Sequence, residues 1–391
     1  MWRKAAALAL VLAPIALTVA TGLDPALGDN QGYGIYRAHP DAIQWHSLLL
    51  HWAWALFVPG FLGLLLPVRR RGAVLAAVAW VAVVLGLVTF SALMASDFAL
   101  LAREQAGLTD AQLAAVDDRF GALGWATWGW QAPGLLGWAL SLVLVPVAAA
   151  RARVISWWVA GLALAGAALY FLFAIEPVPL CLIGPALLVV AYGMGARQLI
   201  THKSPVEPDV FGAFRRRAGT VALVAAPLSL AIGTAFFLHL GWVLFIPAVL
   251  ALAERGRHLT RIAAAVTVLG LVNFSGLMVG DYVDVANRAV LDAATVERID
   301  AAMGGYLTFS LGWVLPGMVL TLLGLAAVPI AAAVEGVVRW WVPVLVGAGV
   351  VAFLATPAGP VAAVGPLLMA AGFGAAALPA LRIPRPAPAP V

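Results

Sequence analysis

Cysteine and charge are both scarce in this sequence. A single cysteine, Cys181, in 391 residues excludes an internal disulfide, a CxxC redox pair, a c-type haem attachment and a cysteine zinc site. Charged residues make up 10% of the chain and hydrophobic ones 63%, against about 25% and 45–50% in soluble domains. Soluble enzyme folds are thereby excluded, and an integral membrane protein is indicated. The chain also lacks a P-loop, an H-E-x-x-H pair, a G-x-S-x-G elbow and a dinucleotide fingerprint, so no catalytic constellation is legible.

What is present is a succession of apolar runs. About 20 such residues cross a bilayer, and runs bounded by charge, proline or glycine fall near 5–22, 45–66, 73–96, 130–150, 155–175, 179–197, 217–235, 237–253, 262–280, 309–333, 340–355 and 360–380. The expected fold is an all-α polytopic membrane protein with about twelve transmembrane helices. With the N-terminus on the cytoplasmic side, 18 of the 23 basic residues fall in loops on that side, while the opposite loops hold 14 of the 18 acids. This is the positive-inside bias. It makes the net charge of +5 a topology signal and not a sign of a nucleic-acid partner. The expectation is a plasma (inner) membrane protein, both termini cytoplasmic, with the lipid bilayer as the partner that the composition demands.

The chain repeats itself. Residues 85–98, LGLVTFSALMASDF, match 269–282, LGLVNFSGLMVGDY, at nine of fourteen positions, and GWQAPG at Gly129 matches GWVLPG at Gly312. Two parallel six-helix repeats are expected, because an even number of spans returns the chain to its starting side. They cover 1–197 and 215–383, joined by a cytoplasmic linker at 198–214 and followed by a Pro-rich cytoplasmic tail at 384–391. The N-terminal run resembles a signal peptide, but its counterpart lies mid-chain, so it reads as a retained first helix. Leu23 to Gln44 is inserted in the first repeat only. Each repeat also carries an acidic segment with one apolar stripe, Leu113, Val116 and Phe120 or Val296, Ile299 and Met303, the pattern of an outer amphipathic helix.

Polar residues inside spans are functional candidates because they are expensive there. His51 and His239 both stand in the pattern H-x-x-W-x-L-F-x-P, with Trp54 and Trp242. Ser91, Met94 and Asp97, with their counterparts Ser275, Met278 and Asp281, share one side of the following helix. Each repeat could thus gather His, Ser, Met and Asp around an outward-facing pocket. In the alternative, the histidines fix helix packing and the aspartates N-cap the next short helix. Trp45, Trp52, Trp125, Trp128 and Trp130 read as an interfacial belt without a ligand role.

Three functions follow. The leading one is a transporter-like or ligand-binding permease for a small-molecule substrate, neutral or amphipathic since the spans offer no buried counter-charge, and with no cofactor. The second is a haem- or copper-binding redox or sensor protein, with His51, His239, Met94 and Met278 as ligands. The third is a non-catalytic membrane subunit. Two parallel six-helix halves resemble the organisation of major facilitator transporters, and LAERGRHLTR at Leu252 resembles their cytoplasmic loop motif, from which LPVRRRGAVL at Leu66 departs.

Overall fold

The computed structural model describes residues 2–29, 32–203, 206–356 and 359–381; the expected tail at 384–391 lies outside them. The chain is 84% helix with no strand among the described residues. In order, the helices are α1 (Trp2–Leu23), α2 (Ile35–Ala38), α3 (Pro40–Leu65), α4 (Ala73–Val81), α5 (Val88–Ala92), α6 (Ala95–Gln105), α7 (Asp110–Gly121), α8 (Gly124–Ala126), α9 (Ala132–Arg151) and α10 (Trp157–Phe173). Then come α11 (Leu180–Thr201), α12 (Val210–Ile232), α13 (Ala235–Arg255), α14 (His258–Gly276), α15 (Val279–Val290), α16 (Ala293–Gly305), α17 (Leu307–Phe309), α18 (Leu315–Val334), α19 (Trp341–Ala355) and α20 (Val364–Leu381). Nine continuous helical stretches among the described residues are long and apolar enough to cross a membrane, among them Ala73–Gln105, which contains α4 to α6. Two shorter apolar helices are α10 and α19. Helix α12 begins seven residues before the expected 217 and carries Arg215, Arg216 and Arg217 within it. The polar linker is correspondingly shorter than 198–214, because α11 and α12 extend into it from both sides.

Contacts divide the chain into two compact units, Met1–Phe214 with Leu269–Val319, and Arg215–Val268 with Leu320–Val391. In the first unit α1 packs along α3 and α11, and α10 along α11. Helix α9 crosses the π-helical stretch Ala82–Leu87 at Gly86 and Gly137. A Cβ on Gly86 would lie 2.1 Å from the Gly137 Cα, so only glycine permits this approach, as at small-residue crossings between membrane helices.

Prolines shape two further π-helical turns, Thr127–Gln131 and Ser310–Val314, which precede Pro133 and Pro316. A proline has no N–H to give and its ring collides with the carbonyl four residues back, here Gly129 or Gly312. The wider turn relieves that collision. It also leaves the Gly312 carbonyl without its helical donor, and the Trp52 indole N–H donates to it at 3.0 Å. Trp52 is thus an internal tie and not a member of a surface belt. Trp130 likewise is fully buried, its indole N–H donating to the Thr89 carbonyl at 3.2 Å. Trp45, Trp125 and Trp128 are exposed, as interfacial residues should be.

In the second unit α19 and α20 pack side by side. Glu335, just after α18, accepts from the backbone N–H groups of Arg257 and Leu259 and from the Thr260 hydroxyl at 2.5, 2.8 and 2.7 Å. It therefore closes the N-terminus of α14 from a distant part of the sequence.

Candidate ligand-binding site

His51 sits on α3 with no exposed surface. Its Nδ1 meets the Ser91 carbonyl at 3.0 Å and its Nε2 meets Asn273 Oδ1 at 2.8 Å. Asn273 turns its amide N–H₂ to the Leu269 carbonyl at 2.7 Å. The Trp313 ring stacks on the imidazole with centroids 3.5 Å apart and donates its N–H to the Asn273 carbonyl at 3.0 Å. Both imidazole nitrogens are therefore occupied by protein groups, and a metal could bind only by displacing one of them. His51 joins α3, α5, α14 and the turn before α18 within the first unit. His239 is buried on α13 in the second unit, close in sequence to Trp242, whose ring contacts Phe245 and Phe353.

The serines do not point into a pocket. Ser91 Oγ donates to the Val88 carbonyl and Ser275 Oγ to the Val272 carbonyl, each bonding back to its own helix. Trp54 lies in an aromatic cluster with Phe57, Phe90 and Trp138. Among the described residues no three His, Cys, Asp or Glu side chains gather as a metal site would require.

The aspartates are not the N-caps that the alternative reading expected. A turn at Leu93–Met94 interrupts the helix, and Met94 becomes the N-cap of α6, so Asp97 occupies the first turn of a new helix. Met278 and Asp281 repeat this at α15. Asp97 and Asp281 are thus first-turn residues and not N-caps. They lie near a positive helix end, which favours the carboxylate.

Around Asp97 the structure collects groups from four elements. The Ser47 hydroxyl donates to Asp97 Oδ2 at 2.8 Å, and the Tyr36 hydroxyl and the His46 imidazole are close enough to interact with this carboxylate electrostatically. Burial, and then the charges of Asp97 and Asp24, push the Tyr36 hydroxyl far above its ordinary pKa, so it remains a donor. His46 is held by the Ala20 carbonyl at 2.8 Å, with Asp24 4.0 Å from its other nitrogen. Asp97 opens onto a cavity of about 280 Å³ lined also by Ser96, Arg103, Asp117, Phe120 and Gln131. Arg103 is only 4% exposed. It donates to Asn287 Oδ1 at 2.9 Å and to Asp117 Oδ1 at 3.2 Å, so the cavity's arginine is engaged by Asp117 and not by Asp97.

Helix α7 supplies one side of this cavity. The Thr109 side chain accepts from the Gln112 N–H while the Gln112 side chain accepts from the Thr109 N–H, a capping box. Leu113 and Val116 are buried, which leaves Phe120 and Asp117 to face the cavity. Helix α16 is capped by Asp292, which accepts from the Thr295 N–H at 2.9 Å, and buries Val296 and Ile299. The apolar stripes had marked these two helices. Tyr36, His46 and Ser47 carried no such signal, because the region around the Leu23–Gln44 insertion has no counterpart to compare.

No family model, curated protein or solved structure matches the chain, so the likeness to major facilitator transporters gains no support and function rests on this geometry.

Proposed function

We propose that this chain is a twelve-helix membrane protein of two parallel six-helix repeats that binds, and as a permease carries, a small molecule entering at Asp97. Eleven apolar helical stretches plus the Arg-bearing α12 support the count. The recurrence of a helix break before α6 and α15, a capped amphipathic helix, and a π-helical turn before a proline supports the repeat. The arginine-rich loops face the cytoplasm of the plasma membrane by the positive-inside rule, so the Asp97 cavity opens outward.

One observation carries the functional reading. A carboxylate bonded by the Ser47 hydroxyl, with the neighbouring Arg103 engaged by Asp117 instead, lines a cavity beside an amphipathic helix. The expected neutral substrate rested on spans without counter-charge, and Asp97 removes that premise. A small substrate bearing a cationic ammonium or guanidinium group fits better, since burying a carboxylate without a countercharge is costly. Haem or copper fits the geometry less well, because both His51 nitrogens are engaged.

The test is thermal stabilisation of the purified protein by methylammonium, choline and guanidinium salts against matched sodium chloride. At least one should stabilise the wild type and none should stabilise Asp97→Asn. Equal stabilisation of both proteins, or of neither, counts against the reading.

A further inference from the structure

A second polar concavity lies at the other end of the first unit's helices. An open groove of about 630 Å³ is lined by Arg71, Arg153, Ser156, Trp157, Gln198 and Thr201. It adjoins a cavity of about 290 Å³ that shares Arg71 and Arg153 and adds His202, Lys203 and Glu207. The larger groove has no carboxylate in its lining. Arg69, which lines the smaller cavity, is already paired with Asp209 at 2.9 Å, whereas Arg71, Arg153 and Lys203 have no ion pair among the described residues.

The backbone at Arg153 supplies an independent observation. Helix α9 ends in a Schellman motif, with the Arg153 N–H on the Ala150 carbonyl at 2.9 Å and the Val154 N–H on the Ala149 carbonyl at 2.8 Å. That motif needs a left-handed residue and normally takes glycine. Arg153 adopts φ +60°, the sole non-glycine residue with positive φ among those described. Helix α18 ends in the same motif, with N–H bonds from Gly336 to Ala333 and from Val337 to Ala332, and there the left-handed position is Gly336 at φ +75°. An arginine thus occupies this left-handed position against backbone preference, and it lines the groove together with Arg71. Strain held in this way points to a function for the side chain.

We propose that this groove binds a phosphate-bearing anion, with Arg71 and Arg153 supplying guanidinium donors from two sides. Guanidinium forks match the oxygens of phosphate. The groove is far larger than a bare ion and has room for a substituted phosphate. Trp157 at its rim and the adjacent Trp158 are well exposed, as belt residues at a membrane interface are, and basic pockets among membrane helices take anionic headgroups. The same chemistry would accept a phosphatidylglycerol headgroup or free glycerol phosphate.

Native mass spectrometry of the full chain in uncharged detergent, titrated with phosphatidylglycerol and separately with glycerol 1-phosphate, distinguishes these sources. Binding of the lipid alone assigns a headgroup site, and binding of both assigns a soluble phosphate site. Arg153→Gly is the decisive variant, because glycine relaxes the backbone. It should weaken the tight adduct about tenfold, as should Arg71→Gln, a change equivalent to about 1.4 kcal/mol. Its Tm should equal or exceed that of the wild type. Arg70→Gln, outside the groove lining, should bind as the wild type does. Binding of neither compound, unchanged binding by Arg153→Gly, or equal loss in Arg70→Gln would overturn the proposal.

Discussion

His51 illustrates how a residue can be legible while its role is not. Its position in a repeated pattern marked it, but the pattern says nothing of what its nitrogens meet. Asn273 stands where the matching segment 85–98 has Thr89, and that difference, one of five between the two segments, supplies the partner of Nε2. Asn273→Leu should leave Nε2 of the buried imidazole without a hydrogen-bond partner and cost about 1–3 kcal/mol. Adding His51→Phe should recover part of that loss, because removing both partners relieves the desolvation penalty. Thermal unfolding of the two single variants and the double variant measures this, and additive losses would mean that the contact is not energetically coupled. Asp97 was legible as a costly carboxylate, but its helix break at Leu93–Met94 was not, since Leu and Met do not disfavour helix. Trp130 reads as a belt residue from sequence because indoles at span ends are common there, and burial alone distinguishes it from Trp128.

At the scale of elements, nine of the twelve apolar runs coincide with stretches among the described residues that are long and apolar enough to cross a membrane, because membrane burial forces length and composition together; the runs at 155–175, 217–235 and 340–355 do not. The departures have particular causes. Helix α12 starts early because arginine is a good helix former, so Arg215–Arg217 extend the helix where charge had suggested a loop. The π-helical turns at Thr127–Gln131 and Ser310–Val314 arise from a proline acting four residues upstream, which apolar periodicity does not register. Pro316→Ala would return an N–H to the Gly312 carbonyl. Trp52→Phe should cost about 0.5–1.5 kcal/mol in the wild type and less in the Pro316→Ala background, as read by paired denaturation curves. Glu335 offers a pH test. Slight desolvation would raise its pKa, but bonds from Thr260, Arg257 and Leu259 outweigh that and hold the carboxyl below its ordinary value of 4.5. A carboxyl with a lowered folded pKa stabilises above its unfolded value, and that contribution is lost as pH falls through the folded one. Tm should therefore drop on acidification below about pH 4.5 less steeply in Glu335→Gln than in the wild type.

For the whole molecule, sequence likeness and packing units are different properties. Segments 269–282 and 312–317 match segments of the N-terminal half in sequence and also pack with that half in one compact unit, which is why His51 finds its partners far along the chain. Sequence similarity records likeness between segments, whereas packing depends on tertiary contacts that likeness does not encode. The bias of acids and bases along the chain gives an expected sidedness; the lining of the cavity beside α7 includes Arg103, which reaches both Asn287 and Asp117, and no motif announces that. The most direct measurement is cysteine accessibility in sealed vesicles of known orientation, with the one native cysteine, Cys181, fully buried. Gln131→Cys in the cavity should react with an impermeant thiol reagent from the outer face, and Arg70→Cys from the inner face. The ammonium or guanidinium salt that stabilises the protein should slow the reaction at 131, and Asp97→Asn should abolish that protection. Reaction of both cysteines from one face, or reaction at 131 indifferent to every cation, would contradict an outward-facing site built on Asp97.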